Sequence, residues 1–343
     1  MRIAVYGASG FTGGLAVAEV HRRGFVPVLV GRDPARLRAA ALAAGVPDAE
    51  VRVAGLDDID ALTAAFDDCA AVVNCAGPFT LWGEPVVRAA IAASCHYVDT
   101  TGEQRYIRTI LDTFDEPAAQ AGVTLVPAMA DDGGPGDLIA AVTAARVNAP
   151  LEDMLIADLR LPGAASRGTA RSMAAIFADG PLHYTDGDWH ESDGEHPAPV
   201  IPPGEDSAVP VYGFALPGVI TIPRHVRTRR VRSAVRSVVG DLFQALTPDV
   251  VESIPEVLTE SERRASRWLM LAEAVGADGS RARGWVSGPD GYGLTAVIAV
   301  EAARRLASGA AKPGALTPAQ AFDPTDFLNY LTTREVSWAV EQN

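Results

Sequence analysis

Over the first 130 positions, short apolar runs alternate with stretches whose apolar residues recur every three or four places. The runs Arg2–Tyr6, Pro27–Val30, Val51–Val53, Ala70–Asn74, His96–Val98 and Val123–Val126 predict six strands. The stretches between them predict helices: one closing at Gly24, then Pro34–Ala44, Asp58–Asp67, Pro85–Ser94 and Arg105–Ala121. Runs that are apolar on both faces suit strands covered on both sides. Strand–helix alternation at this spacing builds a doubly wound parallel α/β sheet. Ligands bind such sheets at the carboxyl ends of the strands. Five unusual stretches fall at those ends: Gly7–Gly13, Gly31-Arg32, Asn74–Phe79, Asp99–Glu103 and Ala128–Asp137.

The pattern changes near Gly134. A strand over Met154–Leu161 and a helix over Thr169–Phe177 precede a polar loop region, Gly180–Pro210. Inside it, Leu182–His190 reads as a hairpin turning at Asp186-Gly187. Further on, the pattern predicts a strand over Gly218–Ile222 and a basic amphipathic helix over Val231–Ala245. A helix or strand follows at Ser266–Val275, then a strand over Ser280–Val286 and a helix over Leu294–Ser308. The expected organisation is an α/β domain over 1–133 and an α+β substrate domain over 134–293. A C-terminal helix and tail over 294–343 would return to the first domain.

The first strand runs straight into Gly7-Ala8-Ser9-Gly10-Phe11-Thr12-Gly13, followed at once by a helix. That layout suits a dinucleotide. Gly7 allows a sharp turn, Gly10 lets backbone approach a pyrophosphate, and Gly13 lets the helix lie close on the strand. The helix N-terminus offers unpaired N–H groups and the positive end of its dipole. The spacing, Gly-x-x-Gly-x-x-Gly, departs from the commoner Gly-x-Gly-x-x-Gly. At the end of the second strand an NAD site usually carries a carboxylate for the ribose hydroxyl. Here Arg32 stands first, with Arg36 one turn on, and a guanidinium suits a 2′-phosphate. Asp33 comes one residue late and is placed to cap the helix starting at Pro34. The expected cofactor is therefore NADP.

Composition narrows the chemistry. A net charge of −14 opposes nucleic-acid binding. No apolar run is long enough to span a bilayer, and the N-terminus lacks a signal peptide's apolar stretch, so the expectation is cytoplasmic. Cys69, Cys75 and Cys95 are widely spaced and suit reduced, buried thiols. The only lysine, Lys312, lies in a Pro/Gly-rich tail, which excludes a Tyr-x-x-x-Lys pair and makes a Schiff base improbable. His183, His190 and His196 lie among acids but fit no metal-ligand spacing, so no metal is expected.

Several motifs occur together and in order. They are Gly7–Gly13, Gly31-Arg32, Gly77-Pro78-Phe79-x-Leu81-x-Gly83-Glu84-Pro85, His96-Tyr97-Val98-Asp99-Thr100-Thr101-Gly102-Glu103, and Gly288-Pro289-Asp290-Gly291-Tyr292-Gly293. Together they resemble the saccharopine dehydrogenase-like family, in the branch that includes trans-acting enoyl reductases. The resemblance covers most of the chain and is strongest over 1–127 and 265–310. It implies a Rossmann domain binding NADP(H), a second α/β domain, and hydride transfer to a C=C or C=N bond. Relatives carry Phe-Asp-Ser-x-Pro-Ser-Asp after the sixth strand, a loop that should face the nicotinamide. This chain has Asp131-Asp132-Gly133-Gly134-Pro135-Gly136-Asp137, keeping Asp132, Pro135 and Asp137 but neither the aromatic residue nor the serines. Substrate and reaction are open to difference there.

Ser9, Phe11 and Thr12 join the three glycines as cofactor contacts, and Asn74, Ala76, Gly77 and Pro78 line the nicotinamide ribose. Tyr97, Asp99, Glu103, Asp132, His183, Tyr184 and Tyr292 are the residues able to move a proton. Asp99, Glu103 and Asp132 lead, Glu103 on condition that burial raises its pKa. The alternative for Asp99 and Glu103 is to cap the next helix, and for His96 to pack beneath its strand. Arg229, Arg230 and Arg232 belong to the one basic run, a solvated helix or a dock for an acidic acyl-carrier protein. A homodimer is left open. Three functions remain: an NADPH-dependent reductase of a small biosynthetic intermediate, an amine-forming dehydrogenase of the saccharopine type, and a non-catalytic NADP-binding sensor or scaffold.

Overall fold

The computed structural model describes residues 1–192, 197–309 and 311–342, and for Ala178 the backbone alone. The chain forms two compact units. One comprises Met1–Thr101, Arg105–Ala130 and Tyr292–Leu316; the other comprises Gly102–Gln104, Asp131–Gly291 and Thr317–Asn343.

In the first unit, β1 (Arg2–Tyr6), α1 (Phe11–Arg22), β2 (Val26–Gly31), α2 (Pro34–Ala43), β3 (Glu50–Val53) and α3 (Ile59–Phe66) alternate. They continue as β4 (Ala71–Asn74), α4 (Phe79–Ala92), β5 (His96–Asp99), α5 (Gln104–Thr113), α6 (Asp115–Ala121) and β6 (Thr124–Val126). Nine of the eleven α/β expectations hold with at most boundary shifts. Two differ in kind. The helix expected over Arg105–Ala121 breaks at Phe114, because Pro117 lacks an N–H and its ring would collide with the Thr113 carbonyl. The helix expected from Pro85 begins at Phe79 and accommodates Pro85 inside it.

In the second unit come α7 (Gly134–Ala144), β7 (Leu151–Asp158), α8 (Arg167–Asp179), β8 (Leu182–Thr185), β9 (Asp188–Glu191) and β10 (Val211–Gly213). After these lie α9 (Gly218–Thr221), β11 (Thr228–Arg236), α10 (Ser237–Gln244), α11 (Pro248–Ser253), α12 (Glu260–Arg264), β12 (Arg267–Gly276) and β13 (Arg281–Pro289). Next, α13 (Gly291–Ala307) and β14 (Gly314–Ala315) lead back into the first unit. The tail, α14 (Pro318–Ala321), α15 (Pro324–Thr332) and β15 (Ser337–Gln342), belongs to the second.

The first sheet is parallel throughout, in the order β14-β6-β5-β4-β1-β2-β3. The second runs β15-β13-β12-β7-β11-β8-β9, with β10 paired to β11, and is antiparallel except between β7 and β11. Helix α7 covers one face of it. A methyl group on Gly284 would lie 2.0 Å from Thr143 Oγ1 of α7, so this glycine is what admits the helix.

The basic run is a strand and not the expected helix. Val231, Ser233 and Val235 alternate with Arg230 and Arg232 at a period of two, and the helical spacing through Val238, Val239 and Leu242 belongs to the separate α10. Arg230 and Arg232 both bind Asp153 on neighbouring β7, at 2.7 Å, and Arg229 pairs with Glu152 and Asp186. Gly218–Ile222, expected as a strand, is helical, since Pro217 already holds helical dihedrals. The hairpin forms as read, with Asp186 and Gly187 both at positive φ.

Two buried carboxylates anchor the long helices. Glu301 on α13 is 1% exposed and receives Arg23 of α1 (2.6 Å) together with Arg304 and Arg305 of its own helix. Burial alone would raise its pKa, but Arg304, Arg305 and Arg23 outweigh it and hold the carboxyl below the ordinary value. In the second unit, fully buried Asp137 on α7 accepts the Ala319 amide at 2.9 Å and lies 2.7 Å from His225 Nε2. Burial opposes charge on both partners, yet their mutual attraction raises His225 and lowers Asp137.

Replacing Glu301 with Ala leaves three guanidiniums around a hole and should cost about 3–5 kcal/mol in denaturant unfolding. The lowered Glu301 and Asp137 contribute stability that is complete above about pH 4.5 and is lost as pH falls through their folded pKa values. His225, raised when folded, contributes below about pH 6.5, and that part is lost as pH rises through its folded value. Thermal unfolding of wild type and His225→Asn across pH should show the alkaline loss only in wild type.

Candidate active site

The β1–α1 turn is shaped by contacts that only glycine permits. Gly7 has φ +76°, and a Cβ there would lie 3.0 Å from the Ala76 backbone nitrogen after β4. A Cβ on Gly13 would lie 2.2 Å from the Gly7 carbonyl oxygen, so α1 rests directly on the end of β1. Gly10 is different. Its φ of −82° suits any residue, and an added Cβ would meet a single atom, Gly7 oxygen, at 3.2 Å. Gly10 is exposed, caps α1 without a side-chain hydrogen bond, and no acid sits in the first turn. The opening N–H groups of α1 therefore meet no side-chain cap from Gly10, and Ser9 and Thr12 beside it are half-buried. Phe11 packs on Tyr292 of α13, ring centroids 5.1 Å apart.

At the end of β2, Arg32 is exposed, with its guanidinium 6.0 Å from the Trp82 ring centroid. Among the described residues Arg32 has no carboxylate partner. Asp33 caps α2, accepting the amides of Ala35 and Arg36 at 2.8 and 3.1 Å, and Arg36 is exposed in that first turn. A free cation beside an unpaired helix N-terminus suits a phosphorylated dinucleotide, so these residues fit the cofactor.

The β4 loop is held from below. Asn74 is fully buried; its Oδ1 accepts the Ala76 amide at 3.0 Å and its Nδ2 donates to the Tyr97 hydroxyl at 3.1 Å. Gly77 and Pro78 follow, joined by a cis peptide. Tyr97 donates to Asp99 Oδ2 (2.9 Å) and lies 2.8 Å from the Tyr106 hydroxyl. Asp99 Oδ1 accepts the amides of Thr101 and Ala128, which ties the ends of β5 and β6 together. Asp99 is thus a buried bracing group. Gly83 explains itself here, because a Cβ would lie 2.4 Å from the Tyr106 ring. His96 Nδ1 accepts the Thr124 amide at 3.0 Å, bridging β5 to β6.

Within the second unit, Glu103 is 3% exposed on the segment 102–104. Gln104 fastens this segment, donating to the Leu216 carbonyl and accepting the Leu182 amide. Asp132 stands just before α7. Its Oδ2 lies 3.3 Å from where a Gly102 Cβ would be, with Ile176 of α8 at 3.8 Å from the same point. One edge of Asp132 reaches solvent, but protein atoms surround the carboxyl densely. Burial and the charge of Asp131, against Arg160, push it up to about 7. Arg160 hydrogen-bonds Asp158 at 2.6 Å and lies 3.1 Å from Asp131 Oδ2, and burial still raises the Asp158 carboxyl above its ordinary value. Arg167 and Arg171 point elsewhere, pairing with Glu252 and Glu256.

The remaining candidates lie apart from these groups. His183 stacks near His190, and Tyr184 near Trp189, on the β8–β9 hairpin. His196 lies outside the described residues. Among the described residues no three His, Cys, Asp or Glu side chains are placed to hold a metal. Burial pushes the Cys69 thiol up to about 11 and that of Cys75 to about 12, so neither supplies a thiolate near neutrality. No helix among the described residues is long and apolar enough to cross a membrane.

Residues 3–126 match the model of the saccharopine dehydrogenase NADP binding domain. That segment is similar to this NADP binding domain. A human saccharopine dehydrogenase-like oxidoreductase is 31% identical over 165 residues, 43% of this chain and 38% of the human protein. A trans-acting enoyl reductase of Mycobacterium bovis is 32% identical over 140 residues, 40% of this chain and 34% of that one. The chain thus spans less than half the length of either relative. Saccharopine dehydrogenase (L-Glu forming) from Saccharomyces cerevisiae shares the fold over 100% of this chain and 99% of its own, with a TM-score of 0.65 at 15% identity. The matched segment contains the glycine turn, Arg32 and the braced β4 loop. Gln104 and Asp158 escaped sequence reasoning; the partners of Gln104 are remote in the chain, at Leu182 and Leu216.

Two substitutions separate the glycine roles. Gly13→Ala should destabilise the domain, whereas Gly10→Val should unfold at the wild-type temperature and lose NADPH binding in titration calorimetry. Arg32→Ala should weaken NADPH by about 1.5–3 kcal/mol and leave NADH little changed. Equal losses for both nucleotides would place Arg32 away from the 2′-phosphate.

Proposed function

We propose that the protein is an NADPH-dependent oxidoreductase that reduces a polarised C=C or C=N bond of a small molecule, with Asp132 as proton donor. The observation that carries this reading is the β1–α1 turn, where α1 rests on the Gly7 carbonyl at Gly13, beside Arg32, which has no carboxylate partner among the described residues; at Asp132, burial and the charge of Asp131 raise the carboxyl to about 7. Gly7, Ser9, Gly10, Phe11, Thr12 and Gly13 would hold the pyrophosphate, Arg32 and Arg36 the 2′-phosphate, and Asn74, Ala76, Gly77 and Pro78 the nicotinamide ribose. The bound cofactor supplies a hydride to one end of the double bond. Asp132, in its acid form, gives its proton to the other end and recovers one from water. Asp99 braces the strand ends beneath, and Glu103 lies on the fastened segment beside Gly102. The names of the relatives support an oxidoreductase in general terms.

A C=N substrate has one observation of its own. Asp131, Asp132 and Asp158 outnumber Arg160, so the cluster favours a cationic, imine-like group. An acidic carrier finds no such support, because Arg229, Arg230 and Arg232 already face Glu152, Asp153 and Asp186.

NADPH oxidation should be followed with short enoyl thioesters and, separately, with 2-oxo acid and amine mixtures. Turnover should fall as pH rises through about 7, because the donor must be protonated. Asp132→Asn should lower kcat by about 10²–10⁴-fold while NADPH affinity holds. Unchanged kcat would remove Asp132 from the reaction, and no oxidation with any substrate would favour a sensor or scaffold.

A further inference from the structure

Strand β1 is flanked by β2 and β4, and the sheet order turns back at it, with β3 beyond β2 and β5 beyond β4. Such a reversal opens a crevice over the strand ends. Neighbouring strands lie about 4.8 Å apart, so the ends of β2 and β4 stand roughly 10 Å apart across it. Two side chains narrow that distance. Arg32 follows β2, and Trp82 belongs to the start of α4, its amide donating to the Pro78 carbonyl at 3.2 Å. The Arg32 guanidinium carbon lies 6.0 Å from the Trp82 ring centroid. Carbon–carbon contact is about 3.5–4.0 Å, so the cation does not seal the indole face. Trp82 also stands outside the core. The packed side of α4 carries Phe79, Gly83, Val86, Val87 and Ala90, whereas Trp82 is 38% exposed and its indole makes no hydrogen bond among the described residues.

We propose that Trp82 is the platform on which the adenine ring of the nucleotide stacks. This rests on the reading of the β1–α1 turn and Arg32 as the NADP(H) site. The 2′-phosphate is carried by the ribose that is bonded to adenine. The cation that reads the phosphate and the surface that receives the base must therefore lie within one sugar of each other. Arg32 and Trp82 meet that condition, on opposite sides of the crevice above β1. Every base presents a flat π-face, and an open indole offers a broad apolar surface to match it. The two residues then divide the work. Arg32 distinguishes the phosphorylated nucleotide from the unphosphorylated one, and Trp82 binds the part that both share.

The test is titration calorimetry of the full chain with NADPH and, separately, with NADH. Trp82→Ala should weaken both nucleotides by the same factor, about tenfold or more, because the base is common to them. Trp82→Phe keeps an aromatic face and should bind both within about threefold of wild type. Trp82→Leu keeps the apolar bulk without that face and stands in if the Ala variant does not fold. Unchanged affinities in the Ala or Leu variant would overturn the proposal. So would a loss confined to NADPH, which would make the indole a prop for Arg32, or a Phe variant as weak as the Ala variant. Wild-type protein that binds neither nucleotide would instead strike the NADP reading itself, and this assignment with it.

Discussion

The contact between Gly13 and the Gly7 carbonyl sets the geometry on which the nucleotide-binding unit depends. A methyl group at position 13 would sit 2.2 Å from that oxygen, well inside van der Waals contact. Because α1 lies this close, its N-terminus emerges directly over the end of β1, and its unpaired amides converge above Gly10. Gly7, with no side chain of its own, lies against the backbone and methyl group of Ala76, so the β1 and β4 loops approach closely. Arg32, at the end of neighbouring β2, then borders the same edge of the sheet.

Below that edge the polar groups serve one another. Asn74, Tyr97, Tyr106 and Asp99 form a buried chain of hydrogen bonds that links β4, β5, α5 and the loop after β6. Each group in such a chain is costly if left unmet, and satisfied it fixes the loops in one arrangement. Glu301 and Asp137 follow the same rule with charge. A buried carboxylate surrounded by cations or by His225 contributes less to net stability than to the definition of where α13 and α7 rest.

The second unit uses its acids differently. Asp153 is shared by Arg230 and Arg232, and Arg229 is met by Glu152 and Asp186, so the basic strand is neutralised by its own sheet. At the other end of β7, acids exceed cations, and burial raises both the Asp132 and Asp158 carboxyls. One strand thus carries a balanced ladder at its start and an unbalanced cluster at its end.

The local pattern alone determined the parallel α/β unit, the glycine turn, the capping role of Asp33 and the Asp186-Gly187 hairpin, because each depends on neighbours within a few residues. Where local signals competed, it misled. Val231 and Val235 suit both a helical and a strand period, and the choice fell to Asp153 on a strand more than seventy residues earlier. Pro117 ended a helix whose apolar spacing ran on through it. Asp99 and Asp132 look alike in sequence as acids at strand ends. Only the fold separates them, since three donors converge on Asp99 while carboxylates crowd Asp132. A side chain's acidity is set by what the tertiary structure places around it, and the sequence holds no record of those distances.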